Sequence, residues 1–137
     1  MKKIESEKLI ISNSQEKIYS FLSNFNNFGK LMPEQIINWQ STENTCSFTI
    51  KGMTDLSMQI KEKMPFHTIM IIPNGKTPFE FELKCSFVAL ESNKTESQLT
   101  FFADLNPMLS MMASKPLENF VNMLNIRLKQ KAEEAGF

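Results

Sequence analysis

The sequence predicts an α+β fold in which a curved, seven-stranded antiparallel sheet wraps around a long C-terminal helix. Three observations lead to this fold class. Apolar and polar residues alternate with a period of two over most of residues 37–105, which is typical of half-buried strands. Short turn segments separate these strands, so successive strands are expected to be antiparallel neighbours. Beyond them, apolar residues recur at spacings of three and four, as on one face of a helix.

The composition indicates one small domain over residues 1–137, because two shorter halves would each bury too little apolar surface. Basic and acidic residues both number 15, and this balance argues against a nucleic-acid partner, which would need a basic surface. We expect no signal peptide, because the first residues are charged and include no apolar core segment, and no apolar stretch approaches the roughly 20 residues of a membrane span. Cys46 and Cys85 lack CxxC spacing. We therefore expect buried free thiols in a cytoplasmic protein.

The N-terminal third predicts a first strand and two short helices. Residues 3–12 alternate weakly between apolar and polar side chains and form the strand. Ser14 can cap a helix over Gln15–Leu22, whose apolar residues at spacings of three and four share one face. A second short helix is expected over Phe25–Met32, where four apolar side chains can anchor it. Pro33 ends that segment.

Six further strands are expected between the short helices and the closing helix. They lie around Ile37–Trp39, Cys46–Lys51, Leu56–Lys61, Thr68–Ile72, Phe79–Ala89 and Leu99–Leu105. Apolar and polar residues alternate most regularly in the Phe79–Ala89 strand, which would have one apolar face and one solvent-exposed face. The pair Asn74 and Gly75 just before it is the strongest hairpin signal in the chain.

The closing helix is expected to begin at Asn106 and Pro107, because asparagine caps helices and proline suits the first helical position. Pro116 is expected to interrupt or kink it, since the residue before a proline avoids helical geometry. Four apolar residues at helical spacing from Leu117 to Leu128 then continue one stripe. We expect the helix to run to about Glu134.

Three segments, Ile11–Leu22, Phe25–Pro33 and Asn106–Leu128, carry a resemblance to a known superfamily. The first leads from an apolar strand residue through a small cap into a helix, the second is a short helix with an exit proline, and the third is the closing helix. In this order they resemble the START-like helix-grip (SRPBCC) superfamily over essentially the whole chain. The resemblance implies a cavity between the closing helix and the concave face of the sheet, which in that superfamily holds apolar small molecules.

The function that we favour is binding or transport of a small hydrophobic ligand, lipid-like or aromatic, in that cavity. Ten methionines, three of them at the start of the closing helix, suit an adaptable apolar surface and an entrance there. The candidate cavity-lining residues are Phe48, Met58, Phe81, Phe101, Met108, Met112 and Phe120. A core filled completely by such side chains is the open alternative.

No catalytic or metal-binding residues follow from a sequence motif, and no cofactor is expected. A metal site would require His67, the only histidine, to meet Cys46 and Cys85. A polyketide cyclase- or dehydratase-like enzyme is the second hypothesis, with Glu62, His67 or Asp104 as its acid–base residue. The third is a homodimeric interaction protein that uses an exposed sheet edge or an apolar patch.

Overall fold

The computed structural model describes all of residues 1–137 and confirms the predicted α+β helix-grip architecture. The strands are Lys2–Glu5 (β1), Leu9–Ile11 (β2), Ile36–Ser41 (β3), Thr45–Ile50 (β4), Thr54–Met64 (β5), Thr68–Pro73 (β6), Phe81–Glu91 (β7) and Lys94–Ala103 (β8). The helices are Gln15–Leu22 (α1), Phe25–Phe28 (α2) and Pro107–Ala132 (α3), and a 3₁₀ turn spans Gly29–Leu31.

All strands belong to one antiparallel sheet, in the order β1-β8-β7-β6-β5-β4-β3, with β2 also paired to β8. From β3 to β8 each strand pairs with the next one along the chain, as the short connections require. Helix α3 packs against β1, β2 and β8, and its buried side chains join those of the sheet in one apolar cluster. No helix is both long enough and apolar enough to cross a bilayer.

The predicted first strand is present in two pieces, β1 and β2, which both pair with β8. At the break, the Ser6 N–H donates to the Leu99 carbonyl at 2.8 Å, and the Ser6 hydroxyl accepts from the Leu99 N–H at 2.9 Å. The Glu7 N–H turns away from the sheet and donates to the Asn122 side chain of α3 at 2.9 Å. The break therefore lets α3 take the place of a strand as hydrogen-bond partner.

The two short helices begin at the residues whose side chains can cap them. The Ser14 hydroxyl accepts from the Lys17 N–H at 3.2 Å, and the Asn24 side chain accepts from the Asn26 N–H at 2.9 Å. Both bonds satisfy N–H groups that have no partner within the helix. The second predicted helix is divided into α2 and the 3₁₀ turn, and it ends before Pro33 as expected.

Helix α3 begins at its predicted cap, where the Asn106 side chain accepts from the Leu109 N–H at 2.9 Å. The predicted interruption at Pro116 is wrong, because the helix continues through it to Ala132, and the alternative, a kink at Pro116, stays a prediction. A proline inside a helix removes one backbone bond and costs about 3 kcal/mol. Ala113 and Leu117, on either side of the proline, are both fully buried against the sheet. This packing offsets the loss and keeps the two halves of α3 continuous.

Strand β3 departs from simple alternation, which had placed Ile37 and Trp39 on one face. Asn38 has a positive φ of 58°, and the β3–β4 register shifts between Ile37 and Gln40. One extra residue in a strand reverses which side chains face the core. Ile37 is consequently exposed, whereas Trp39 packs against the core.

Candidate ligand-binding site

Four aromatic rings form a continuous stack between α2, the sheet and α3, where the resemblance implies a cavity. The Phe28 and Trp39 ring centroids are 6.4 Å apart, those of Trp39 and Phe48 are 5.5 Å apart, and those of Phe48 and Phe120 are 5.9 Å apart. Gly29 approaches the indole so closely that a Cβ atom there would overlap it. The stack fills the space between β4 and α3 with side chains.

Two more of the predicted lining residues, Phe81 and Phe101, stack on each other with centroids 4.9 Å apart. Met58 of β5 is likewise fully buried. Five of the seven predicted residues therefore face inward as expected and pack as core, each 2% exposed or less: Phe48, Met58, Phe81, Phe101 and Phe120.

An apolar pocket of about 190 Å³ remains under the first turns of α3, and we call it the α3 pocket. Its walls come from the β4–β5 turn, the loop before β7 and the helix itself. The lining residues are Gly52, Met53, Thr54, Pro78, Phe79, Leu109, Met112 and Ala113. None of them is charged, and the Thr54 hydroxyl is the one polar side-chain group. The pocket can therefore bury an apolar molecule but offers few hydrogen bonds.

The methionine cluster at the start of α3 lies beside the α3 pocket and only partly within it. Met112 lines the pocket while 65% of its surface stays exposed. Met108 and Met111 are 72% and 87% exposed, and neither lines the pocket. Of the seven predicted lining residues, the α3 pocket thus contains Met112 alone.

Phe79 forms the wall between the α3 pocket and the packed core. Its ring centroid lies 5.9 Å from that of Phe81 and 6.5 Å from that of Phe101. Phe79 was expected in the most regular strand, but β7 begins only at Phe81, so Phe79 and Pro78 belong to the preceding loop. Alternation placed Phe79 on the same inward face as Phe81, and Phe79 is indeed buried, but alternation does not distinguish a pocket wall from the packed core.

A larger depression of about 570 Å³ lies beside α1 and is wide open to solvent. Its lining residues are Ser14, Glu16, Lys17, Ser20, Phe21, Asn27 and Phe137, of which only the two phenylalanines are hydrophobic. The gain from binding an apolar ligand grows with the apolar area that is removed from water. The smaller but better enclosed α3 pocket is therefore the better candidate site.

Comparison with known proteins gives matches among solved structures. No family model and no curated protein sequence matches the chain. A START superfamily protein from Mycobacterium smegmatis is 18% identical and superposes with a TM-score of 0.69, over 96% of this chain and 97% of that one. The chain has the START-like helix-grip fold.

Two further structures have the same architecture at lower identity. The KanY protein superposes with a TM-score of 0.76 at 10% identity, over 98% of this chain and 100% of its own. A protein from Thermus thermophilus gives 0.75 at 12% identity, over 99% and 100%. Such likeness concerns the START-like backbone alone, since a fold accommodates many different sites.

The candidate acid–base residues Glu62, His67 and Asp104 are all exposed on this START-like domain, and none lines the α3 pocket. In a regularly alternating strand, Glu62 would lie on the same face as Ile60 and could point inward. The β5–β6 register shifts between these two residues, so Glu62 lies opposite Met70 on the outer face of the sheet. The enzyme hypothesis as built on these three residues has no support in the geometry. No group of three or more His, Cys, Asp or Glu side chains is placed to hold a metal ion.

A buried polar cluster anchors α3 at the break between β1 and β2. The Asn125 amide nitrogen donates to the Ser97 and Glu7 carbonyls, both at 3.0 Å, and its side-chain oxygen accepts from the Ser97 hydroxyl at 2.8 Å. The Ser6 hydroxyl is a further neighbour at 3.4 Å. Asn125 is only 1% exposed, yet its hydrogen-bonding capacity is used. In the sequence, the position of this polar residue beside Leu124 on the apolar stripe of the helix was a signal that its side chain could be buried and hydrogen-bonded.

Cys46 and Cys85 are buried free thiols, as predicted. Burial raises the pKa of each from 9.0 to about 12, because the thiolate would lose its hydration. The unfolded chain should therefore lose these protons near pH 9, while the folded protein holds them up to about pH 12. Their stabilising effect is complete below pH 9 and is lost as the pH rises from 9 to 12.

We expect the free energy of unfolding to fall between pH 9 and pH 12 by about 1.4 kcal/mol per pH unit for each buried thiol. Urea unfolding at a series of pH values, compared with a Cys46→Ala/Cys85→Ala double variant, measures this contribution. The double variant keeps every other titrating group. Equal pH slopes for the two proteins would contradict the prediction.

Proposed function

We propose that the protein binds a small, uncharged apolar molecule in the α3 pocket. The observation that carries this proposal is a partly enclosed pocket whose lining is mainly apolar and free of charged side chains. Met53 and Met112 on opposite walls can adapt to the shape of a ligand, since thioether side chains are flexible and polarizable. Burying roughly 200 Å² of apolar surface would contribute about 5 kcal/mol before the costs of association.

The volume of the α3 pocket limits the size of its ligand. Its 190 Å³ is close to the roughly 150 Å³ of an apolar cavity that accepts benzene, and below the ~300 Å³ of typical drug-sized sites. The pocket therefore suits one ring or a short alkyl chain. A longer lipid-like ligand would have to displace Phe79, the wall between the pocket and the core.

Two further inferences accompany the binding proposal. We infer a reducing, cytoplasmic setting because both cysteines are buried as free thiols. The homodimer stays a prediction. Its support is two exposed apolar side chains on the outer face of the sheet, Ile10 and Val88, which flank Glu96 in the strand register. Native mass spectrometry measures the oligomeric state directly.

Methyl NMR of the protein with ¹³C-labelled methionine methyl groups, titrated with toluene, tests the binding proposal. We expect saturable shifts of the Met53 and Met112 signals, with a dissociation constant on the order of 0.1–1 mM. Met111 should not respond, because it is exposed and lies outside the pocket. Equal shifts at Met111 and Met112, or no saturation, would contradict the proposal.

Two variants distinguish the effect of filling the pocket on ligand binding from the effect of a general change in α3. Ala113→Leu places a larger side chain in the α3 pocket and should weaken toluene binding at least tenfold. Met111→Leu alters the exposed face of the same turn and should bind as the native protein does. Native mass spectrometry and solvent extraction of protein purified from its own cells would then identify the natural ligand.

A further inference from the structure

Arg127, the only arginine in the chain, has no partner for part of its guanidinium group. The side chain is half-buried on α3, and its Nε atom is shielded from solvent without any hydrogen bond. The four ion pairs of the structure all use lysines, so no carboxylate lies within 4 Å of Arg127. A shielded N–H of a charged group without an acceptor is costly, and an anion bound to the guanidinium group would offset part of that cost.

The surroundings of Arg127 form a pocket of about 210 Å³ between α3 and the 3₁₀ turn. Its lining residues are Lys30, Leu31, Arg127, Gln130, Lys131 and Glu134. Three of these side chains are cationic and one is anionic, so the pocket has a formal charge of +2. Lys131 already pairs with Glu134 at 3.4 Å, whereas Lys30 contacts only the neutral Asn27 side chain, at 3.2 Å.

Neutralisation of the negative end of α3 accounts for Lys131, which lies in the last turn, but not for Arg127 or Lys30. That role belongs to basic residues in the last helical turn. Lys129 also lies in that turn, and its ammonium group donates to the Ile10 carbonyl and to Glu133, both at 2.7 Å. Arg127 lies more than one turn before the helix ends at Ala132, and Lys30 comes from a different element.

We propose that this second pocket binds a small, doubly charged oxyanion, of which a phosphate group is the best fit. A guanidinium group can hold two oxygens in its plane, and the two ammonium groups and the Gln130 amide add donors to the others. The site lies near the end of α3 opposite to the α3 pocket, and it does not depend on the ligand proposed there. Glu134 and the open position of Lys30 limit its affinity through repulsion and solvent screening.

The single arginine makes a direct test available, because Arg127 gives the only arginine Nε–H signal in a ¹H–¹⁵N spectrum. Titration with inorganic phosphate at constant ionic strength should shift this signal saturably, with a dissociation constant on the order of 1 mM. Sodium chloride at the same ionic strength should produce no saturable shift. A phosphate response that matches the chloride response would overturn the proposal.

Variants that each remove one positive charge test where on the protein the anion binds. Lys30→Gln should weaken phosphate binding at least threefold, and it alters an exposed residue outside the core. Lys115→Gln is the matched control, since it removes the same charge about 18 Å away along the helix and should change nothing. Equal affinities of these two variants would contradict the assignment.

A third titration, with glycerol 3-phosphate, distinguishes a site for a phosphorylated organic molecule from a site for the free phosphate anion. Tighter binding than inorganic phosphate would assign the site to a phosphorylated organic molecule, and equal binding would assign it to the free anion. Both results support the site, whereas failure of both ligands to move the Arg127 signal overturns it.

Discussion

Replacing Asn125 by alanine is expected to lower the free energy of unfolding by about 3–5 kcal/mol. The change leaves the buried Ser97 hydroxyl and carbonyl without their Asn125 partner, whereas the Glu7 carbonyl keeps the Ser6 hydroxyl at 3.0 Å. Each buried polar group that loses its partner costs about 1–3 kcal/mol, and members of one network reinforce each other. Urea unfolding followed by far-UV circular dichroism measures the difference.

The matched control for Asn125 is Asn119→Ala on the same helix. Asn119 is exposed and its side chain makes no hydrogen bond, so we expect a change within about 0.5 kcal/mol. The two variants share the same change in helix propensity, and their difference isolates the buried cluster. A loss for Asn125→Ala no larger than that of Asn119→Ala would show that the cluster does not anchor α3.

Most of the fold could be predicted because its determinants are local. Alternation located the central strands, and the side chains of Ser14 and Asn106 marked where α1 and α3 begin. The errors lie where one residue changes the geometry without changing the pattern. Asn38 and the register shift before Glu62 each reverse the inward face of a strand, and neither is distinguishable in the sequence from a regular strand residue.

The candidate site was harder to predict than the fold. Periodicity identifies side chains that face inward, and it did so correctly for Phe48 and Phe120. Whether two inward faces leave a gap depends on how their side chains meet across the sheet and the helix, which is a property of distant residues. The walls of the α3 pocket also come from turns, such as Gly52–Thr54 and the loop at Pro78, and turns follow no period.

Phe120→Ala is expected to lower the free energy of unfolding by about 3–5 kcal/mol, because it removes one ring of the aromatic stack and leaves a cavity. Phe120 is fully buried, and its ring faces Phe48 across 5.9 Å. The partly exposed Phe66 provides the comparison: Phe66→Ala deletes the same ring from the surface, together with its edge contact with Tyr19 at 5.5 Å, and should cost only about 1–2 kcal/mol. Urea unfolding of the three proteins measures both changes.

Benzene should then restore part of the stability that Phe120→Ala loses. A ligand that binds only the folded state stabilises it according to its concentration and dissociation constant. If the native stack fills the space between the sheet and α3, benzene will stabilise Phe120→Ala by clearly more than the native protein, in which the α3 pocket is the candidate site. Equal stabilisation of the two proteins would show that the interior collapses when the ring is removed. A larger effect in the variant would mean that the space between the sheet and α3 can hold an apolar ligand once one phenylalanine ring is removed.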